Sequence, residues 1–155
     1  MVSDQSKPRQ FSHGGSRMEY VCDAPRNRTW FRLMTEGEAV AESLEMYHAV
    51  EKHYRRERER AVDAFHPTTS VFIEQDINKE DHIRRTMPLF LTLRDQDGKA
   101  LVTAMLPPKD KVGGGSILVG SNNADPYPDN ADAIAALGNH FGITLDRGSC
   151  YPYRR

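Results

Sequence analysis

Residues 89–106 read LFLTLRDQDGKALVTAML, and they carry the strongest fold signal in this chain of 155 residues. In the first half of the stretch, leucines alternate with other side chains as they do along a β-strand. The centre contains Asp97-Gly98, a pair typical of hairpin turns. Pro107-Pro108 ends the second half, because proline has no N–H to donate to a ladder. The stretch predicts an antiparallel β-hairpin.

Two β-prone stretches lie upstream, at residues 19–23 and 29–34. The basic, proline-containing segment 24–28 separates them, so the three segments together predict a strand, a turn and a second strand. Residues 1–18 mix Ser, Gln, Pro, Gly and basic side chains around few large apolar ones. We predict a mobile tail over 1–18 and a single α+β domain over 19–155.

A long amphipathic pattern follows the second strand. Thr35 and Glu38 have the spacing of a capping box, in which each side chain accepts a backbone N–H at the helix start. Apolar residues then recur at steps of three and four, namely Val40, Leu44, Tyr47, Val50, Tyr54, Ala61, Val62 and Phe65. The pattern predicts one helix of about 30 residues, ended by His66-Pro67. The heptad positions that would form a seam include polar residues, which favours packing on a sheet over a coiled coil.

Segments with weaker secondary-structure signals flank the hairpin. Residues 71–77 alternate and predict a strand, and the polar residues 78–86 predict a loop or a single helical turn. After the hairpin, a glycine-rich connector over 109–116 leads to a predicted strand at 117–120.

A second, shorter helix is predicted near the C-terminus. Asp129 is a suitable N-cap, and Gly142 is a suitable residue to end the helix, before a short strand at 143–145. The elements together predict an α+β fold: a mostly antiparallel sheet packed against one long helix, with a second short C-terminal helix.

Composition narrows the classes of function. The 21 basic and 22 acidic residues leave a net charge of -1, which argues against attachment to nucleic acid or membrane by overall charge. Cys22 and Cys150 are too few for a disulfide scaffold, which favours a reducing compartment. No apolar run approaches the roughly 20 residues of a membrane-spanning helix. We predict a soluble cytoplasmic protein with no membrane contact.

Motifs that resemble reactive sites fail on their spacing. Residues 113–116 do not match a phosphate-binding loop, because their glycines precede a strand and no lysine follows. Glu45 and His48 form one ExxH pair, whereas carboxylate-bridged metal sites need two such pairs. Cys22 precedes Asp23, whose charge raises a thiol pKa. We predict no catalytic residue, cofactor or metal site, and enzymatic activity stays open.

Basic and aromatic side chains in the two terminal regions carry the leading functional hypothesis. Such sets suit phosphate pairing and base stacking, or a protein hot spot, provided that they share one surface. The set comprises Arg26, Arg28, Trp30, Arg32, Tyr151, Tyr153, Arg154 and Arg155. We predict a small binding or regulatory module that acts through a macromolecular partner. A protein is favoured over nucleic acid, since residues 131–148 lack the second helix of a helix-turn-helix.

The loop 121–130 carries the alternative hypothesis, that the protein is an enzyme or binds a small ligand. Its predicted pocket residues are Asn122, Asn123, Asp125 and Tyr127. The loop joins a strand end to a helix start, where small ligands often bind in mixed folds. A third hypothesis is a structural subunit of a larger complex. The sequence leaves the partner, ligand and oligomeric state open.

Overall fold

A computed structural model describes residues 12–13, 16–65, 72–108 and 116–151. Its strands are β1 (Ser12–His13), β2 (Ser16–Arg17), β3 (Glu19–Ala24), β4 (Arg28–Arg32), β5 (Leu89–Arg94), β6 (Ala100–Leu106), β7 (Ser116–Val119) and β8 (Cys150–Tyr151). Its helices are α1 (Glu36–Met46), α2 (Val50–Ala64), α3 (Phe72–Thr86) and α4 (Tyr127–Phe141). The glycines at 113–115 lie outside the described residues.

The main sheet has the order β3-β4-β5-β6-β7-β8. Neighbouring strands are antiparallel from β3 to β7, and β8 runs parallel to β7. The predicted hairpin is confirmed as β5 and β6. In its turn the Asp95 carboxylate accepts two backbone N–H groups, and Gly98 takes a φ of 85°. The predicted strands at 19–23 and 29–34 are confirmed as β3 and β4.

Each face of this sheet has its own apolar core, because consecutive side chains on a strand point to opposite faces. Trp30 and Phe31 on β4 illustrate this division. The face under α4 buries Trp30, Leu91, Leu93, Val102, Leu118, Ile134 and Leu137. The face under α1, α2 and α3 buries Phe31, Ala39, Val50, Tyr54, Ile83 and Phe90.

The prediction of one long helix is corrected by the structure, which has α1 and α2 in its place. The capping box of Thr35 and Glu38 is confirmed at the start of α1. Tyr47 ends α1 in the left-handed conformation, with φ 56° and ψ 49°. Ser43 Oγ then accepts the Glu51 N–H at 3.1 Å and thereby caps the start of α2. The apolar spacing continues through this break, so periodicity alone does not reveal it.

The predicted strand over 71–77 is wrong in its described part, as is the predicted loop or single turn over 78–86. Both segments belong to α3. A short apolar run fits a strand or a buried helix equally well, and only the length of the element separates the two. Ile83 and Met87, four residues apart and both buried, extend the helical spacing.

The short C-terminal helix is confirmed as α4, which begins at Tyr127, earlier than predicted. Gly142 ends α4 with a φ of 70°, and the Ile143 N–H donates to the Gly138 carbonyl at 2.9 Å. The predicted strand over 143–145 is wrong, since these residues are irregular. Because the Ile143 N–H is bonded at the end of α4, it is not available for hydrogen bonding to a neighbouring strand. The C-terminal strand that joins the sheet is β8.

The class is α+β with a mostly antiparallel sheet, as predicted. Most of the predicted tail over 1–18 lies outside the described residues. Met18, the last residue of the predicted tail, is buried against the core of the α1 face. Among the helices of the described segments, none combines the length and apolar character that crossing a membrane requires.

Candidate functional site

A cavity of about 520 Å³, here called the corner pocket, lies between the α1–α2 break and strands β6 and β7. It lies where α1 packs over β6, and Ile117 and Val119 of β7 are half-buried beside it. Its described lining residues are His48, Ala49, Val50, His53, Phe90, Thr103, Ala104, Met105, Ile117, Val119 and Asn123. Three other cavities are smaller, at about 270, 340 and 420 Å³.

A buried polar network reaches the corner pocket at two of its lining residues, His48 and Thr103. Glu42 of α1 is 0% exposed and Arg94 of β5 is 2% exposed, and Arg94 Nη2 lies 2.6 Å from Glu42 Oε1. The other Glu42 oxygen accepts the hydroxyl hydrogen of Thr103. Thr103 Oγ1 lies 2.8 Å from His48 Nε2. The network therefore joins a buried ion pair to the wall of the pocket.

The available donors determine where the protons of this network lie. Burial raises the pKa of the Glu42 carboxyl, and the Arg94 guanidinium opposes that shift. Arg94 lies 2.6 Å from Glu42 and 3.5 Å from the more exposed Glu45, so Glu42 is its main counter-charge, and this pairing favours the ionised form of Glu42. Thr103 then gives its hydroxyl hydrogen to Glu42, and His48 must donate Nε2–H to Thr103. The Val50 N–H donates to His48 Nδ1 at 3.4 Å, and burial lowers the His48 pKa.

This arrangement suits binding better than catalysis. Both ring nitrogens of His48 are engaged, so the ring cannot take up a proton without losing a hydrogen bond. Thr103 donates to Glu42, whose carboxylate is paired with Arg94, and not to His48, so His48 does not act as a base on this hydroxyl. His48 offers a ligand its neutral ring surface.

Two polar side chains lie at the rim of the corner pocket. His53 is exposed, and Arg56 Nη2 donates to its Nδ1 at 2.9 Å. Because Nδ1 accepts this bond, neutral His53 carries its hydrogen on Nε2. Asn123 belongs to a short 3-10 turn and has a φ of 59°, a conformation that asparagine tolerates better than most residues.

One of the predicted pocket residues, Asn123, lines this cavity, and Asn122, Asp125 and Tyr127 do not. Asp125 accepts the Tyr127 N–H at 3.1 Å and pairs with Arg147 at 2.9 Å. The Tyr127 hydroxyl donates to a backbone carbonyl at 3.0 Å, and burial raises the Tyr127 pKa. Asn122 is exposed. The predicted loop therefore borders the pocket with one residue, while Asp125 and Tyr127 attach the start of α4 to the chain that follows it.

Trp30 and Arg28, two members of the predicted partner surface, lie inside the fold. Trp30 is 0% exposed, and its Nε1–H donates to the Ala133 carbonyl at 2.8 Å. Arg28 is buried and pairs with Asp132 at 2.7 Å. Hydrogen bonds from Arg28 hold the Asp132 pKa at about 2. Both side chains attach α4 to β4 and are not accessible to a partner.

The other members of the predicted partner surface are dispersed or undescribed. Arg26 is exposed and donates to the Asp129 carbonyl at 3.0 Å. Arg32 is half-buried and donates to the Arg84 carbonyl at 2.9 Å. The Tyr151 side chain, Tyr153, Arg154 and Arg155 lie outside the described residues. Residues 26–32 thus do not gather into one basic and aromatic surface.

The candidate metal and thiol residues do not converge either. Glu45 accepts the Ala100 N–H at 2.7 Å, while His48 contacts β6. Burial, and then the charge of Asp23, raise the pKa of the Cys22 thiol to about 11. In the described part of the chain, no three His, Cys, Asp or Glu side chains lie close enough together to hold a metal ion.

A second surface feature lies on α1. Val40 and Leu44 lie on one face of α1, and Tyr47 follows the helix directly as its C-cap. These three residues are here called the α1 stripe, and Leu44 and Tyr47 are 74% and 73% exposed. The periodicity predicts that these residues face the sheet. Instead α1 buries the neighbouring face, which contains Ala39, Glu42, Ser43 and Met46.

The main residues of the site, His48 and Thr103, are not in the predicted pocket. A usable signal was present in the hairpin, where Thr92 and Thr103 pair directly across two strands whose only other polar residue is Arg94. Polar residues facing one another at such positions indicate a buried polar partner. Comparison of the chain with protein-family models, with curated proteins and with solved structures finds no match. Functional inference therefore depends on the geometry of the site.

Proposed function

We propose that this protein binds a small, mainly apolar molecule in the corner pocket. One observation carries the proposal: the lining of the cavity is mainly apolar, and its polar side chains His48 and Thr103 already bind one another. A volume of about 520 Å³ lies within the range of small-molecule sites. Phe90, Met105, Ile117 and Val119 would exclude water from an apolar ligand, which favours binding through the hydrophobic effect.

We expect Ala49→Trp to block the pocket. Ala49 lines the cavity and is exposed, so an indole in its place would occupy ligand space with little disturbance of the core. The probes are 1-naphthol, benzyl alcohol and cyclohexylmethanol, titrated into labelled protein and followed by amide NMR shifts. In the wild type, the shifts should centre on Thr103 and Val119. Ala49→Trp should weaken the best probe at least about tenfold, a loss of about 1.4 kcal/mol.

Ala135→Trp is the matched control. Ala135 is an exposed residue of α4, which packs on the opposite face of the sheet, so the same substitution there should leave probe affinity unchanged. The proposal fails if the two variants bind the probes alike, or if the shifts centre away from β6 and β7.

A second function, association with a protein partner, is favoured by the α1 stripe. Exposed apolar side chains grouped on one helix face are typical of interaction surfaces. Helix α1 contains acidic residues and no Lys or Arg, and Glu36 and Glu45 are exposed. Glu36 pairs with Arg55 at 2.7 Å, and Glu45 lies 3.5 Å from Arg94, so both charges are countered within the chain. The stripe therefore fits a different protein that has an apolar groove.

We expect the double variant Leu44→Lys/Tyr47→Lys to lose this association. Charged side chains would enter the apolar contact, and recovery of a partner from extracts of the natural host should fall at least about tenfold. The folded protein alone should sediment as a monomer.

Two further variants distinguish the α1 stripe from other surfaces. Ala135→Lys should leave recovery of the partner unchanged. Arg154→Ala/Arg155→Ala tests the two C-terminal arginines of the partner surface predicted from the sequence. Undiminished recovery with the stripe variant would exclude the stripe. A wild-type dimer that this variant dissociates would instead identify a second copy as the occupant.

A further inference from the structure

The corner pocket differs in polarity between its floor and its rim. On the floor, Phe90 is 1% exposed and lies beside the apolar side chains of Met105 and Ile117. On the rim, α2 contributes the exposed imidazole of His53. A ligand that contacts both needs an apolar body and one polar end.

The rim offers a hydrogen-bond donor. Arg56 donates to His53 Nδ1, which leaves the His53 Nε2–H as a donor. Four of the five bases in segment 52–60 are paired with acids: Arg55 with Glu36 at 2.7 Å, Arg56 and Arg60 with Glu57 at 3.5 and 3.4 Å, and Arg58 with Glu80 at 3.6 Å. The selectivity of the rim therefore depends on the His53 donor.

No acidic residue is among the described lining residues of the pocket. Of the acids nearest to it in the chain, Glu42 is paired with Arg94, and Glu51 accepts the Ser43 hydroxyl and keeps its charge. An ammonium end group has no lone pair with which to accept the His53 Nε2–H, whereas a carboxylate accepts it.

The apolar surface continues beyond the corner pocket. A neighbouring cavity of about 420 Å³ shares Met105 with it and runs along α2 past Ala61 and Ala64 to Pro107. The two cavities lie on either side of Met105, so the apolar surface is elongated along α2, which suits a linear apolar chain better than a compact ring system.

We propose that the ligand is an aliphatic monocarboxylate, a specification that rests on the proposed function. Its carboxylate accepts the His53 Nε2–H at the rim, and its chain lies between α2 and strands β6 and β7. Recognition of the end group comes from hydrogen bonding and charge, and most of the affinity comes from burial of the chain.

Three probes of equal chain length test this assignment: octanoate, octylamine and 1-octanol, titrated by calorimetry at pH 7.5 and low salt. Octanoate should bind at least about tenfold more tightly than octylamine and about fivefold more tightly than 1-octanol. His53→Ala should reduce octanoate affinity to that of 1-octanol. His53→Gln should retain it, because the glutamine amide can still donate, and neither variant should change 1-octanol binding.

The outcomes separate the two proposals. Equal affinity for octanoate and 1-octanol, or octanoate binding that is insensitive to His53→Ala, would overturn the carboxylate assignment while the pocket function stands. Octanoate binding that survives Ala49→Trp would also overturn it, since the binding would lie elsewhere. Absence of binding by all three probes and by 1-naphthol would overturn the pocket function itself.

Discussion

Arg94→Leu should lower the free energy of unfolding by about 3–5 kcal/mol, because it leaves the Glu42 carboxylate buried without its counter-charge. Arg94 also donates to the Gly98 carbonyl and to Thr92 Oγ1, both at 3.0 Å, and these acceptors would lose a donor as well. Urea unfolding followed by circular dichroism measures the change. The substitution should also loosen Thr103, since its hydrogen-bond acceptor would no longer be held by an ion pair.

Two comparisons test that explanation. Arg85→Leu removes an exposed guanidinium that pairs with Asp81, and it should leave the unfolding midpoint almost unchanged, because exposed ion pairs contribute little. The double variant Arg94→Met/Glu42→Leu removes both buried charges and should recover most of the lost stability. If Arg94→Leu costs no more than Arg85→Leu, or if the double variant is the least stable, then an uncompensated charge is not the cause.

Trp30→Ala should lower the free energy of unfolding by a similar amount, about 3–5 kcal/mol, through lost burial and the cavity that remains. Trp30 is fully buried in the core under α4 and donates to the Ala133 carbonyl. Trp30→Phe retains much of the packing, but it leaves that carbonyl without its donor and should cost about 1–3 kcal/mol. Because Trp30 is the one tryptophan of the chain, unfolding must be followed by circular dichroism.

Leu44→Ala is the control for Trp30→Ala. It removes a large apolar side chain that is already exposed, so it should change stability by no more than about 0.5 kcal/mol. A Trp30→Ala variant as stable as Leu44→Ala would mean that Trp30 is not a core residue. The hypothesis that residues 26–32 belong to a partner-binding surface would then be favoured over a role of Trp30 in the core.

Local patterns predicted the elements whose signals are short-range. The hairpin turn depends on Asp97 and Gly98, and the start of α1 depends on Thr35 and Glu38, so in each case the residues that determine the structure lie a few positions apart. The end of α4 at Gly142 is of the same kind. The break after α1 is different, because Ser43 binds across it to the start of α2 while the apolar spacing runs on unchanged.

The candidate site was predictable only in part. Asn123 was among the predicted pocket residues because turn chemistry marks loops, and loops often border ligands. His48 and Thr103 were not among them, since their contact joins residues far apart in the chain. The apolar periodicity also predicted the wrong buried face of α1. Glu42 is buried because it binds Arg94 and Thr103 on the sheet, and Leu44 is consequently left exposed.

The amino-acid sequence by itself determined the α+β class, the antiparallel hairpin and the helix starts and ends, because each depends on side chains that contact their own near neighbours along the chain. The tertiary structure alone decided where α1 turns into α2, which face of α1 is buried and where a pocket opens. These features arise because the helices cover part of one face of the sheet and leave Ile117 and Val119 of β7 half-buried, and that coverage is set by contacts between segments that are distant in sequence.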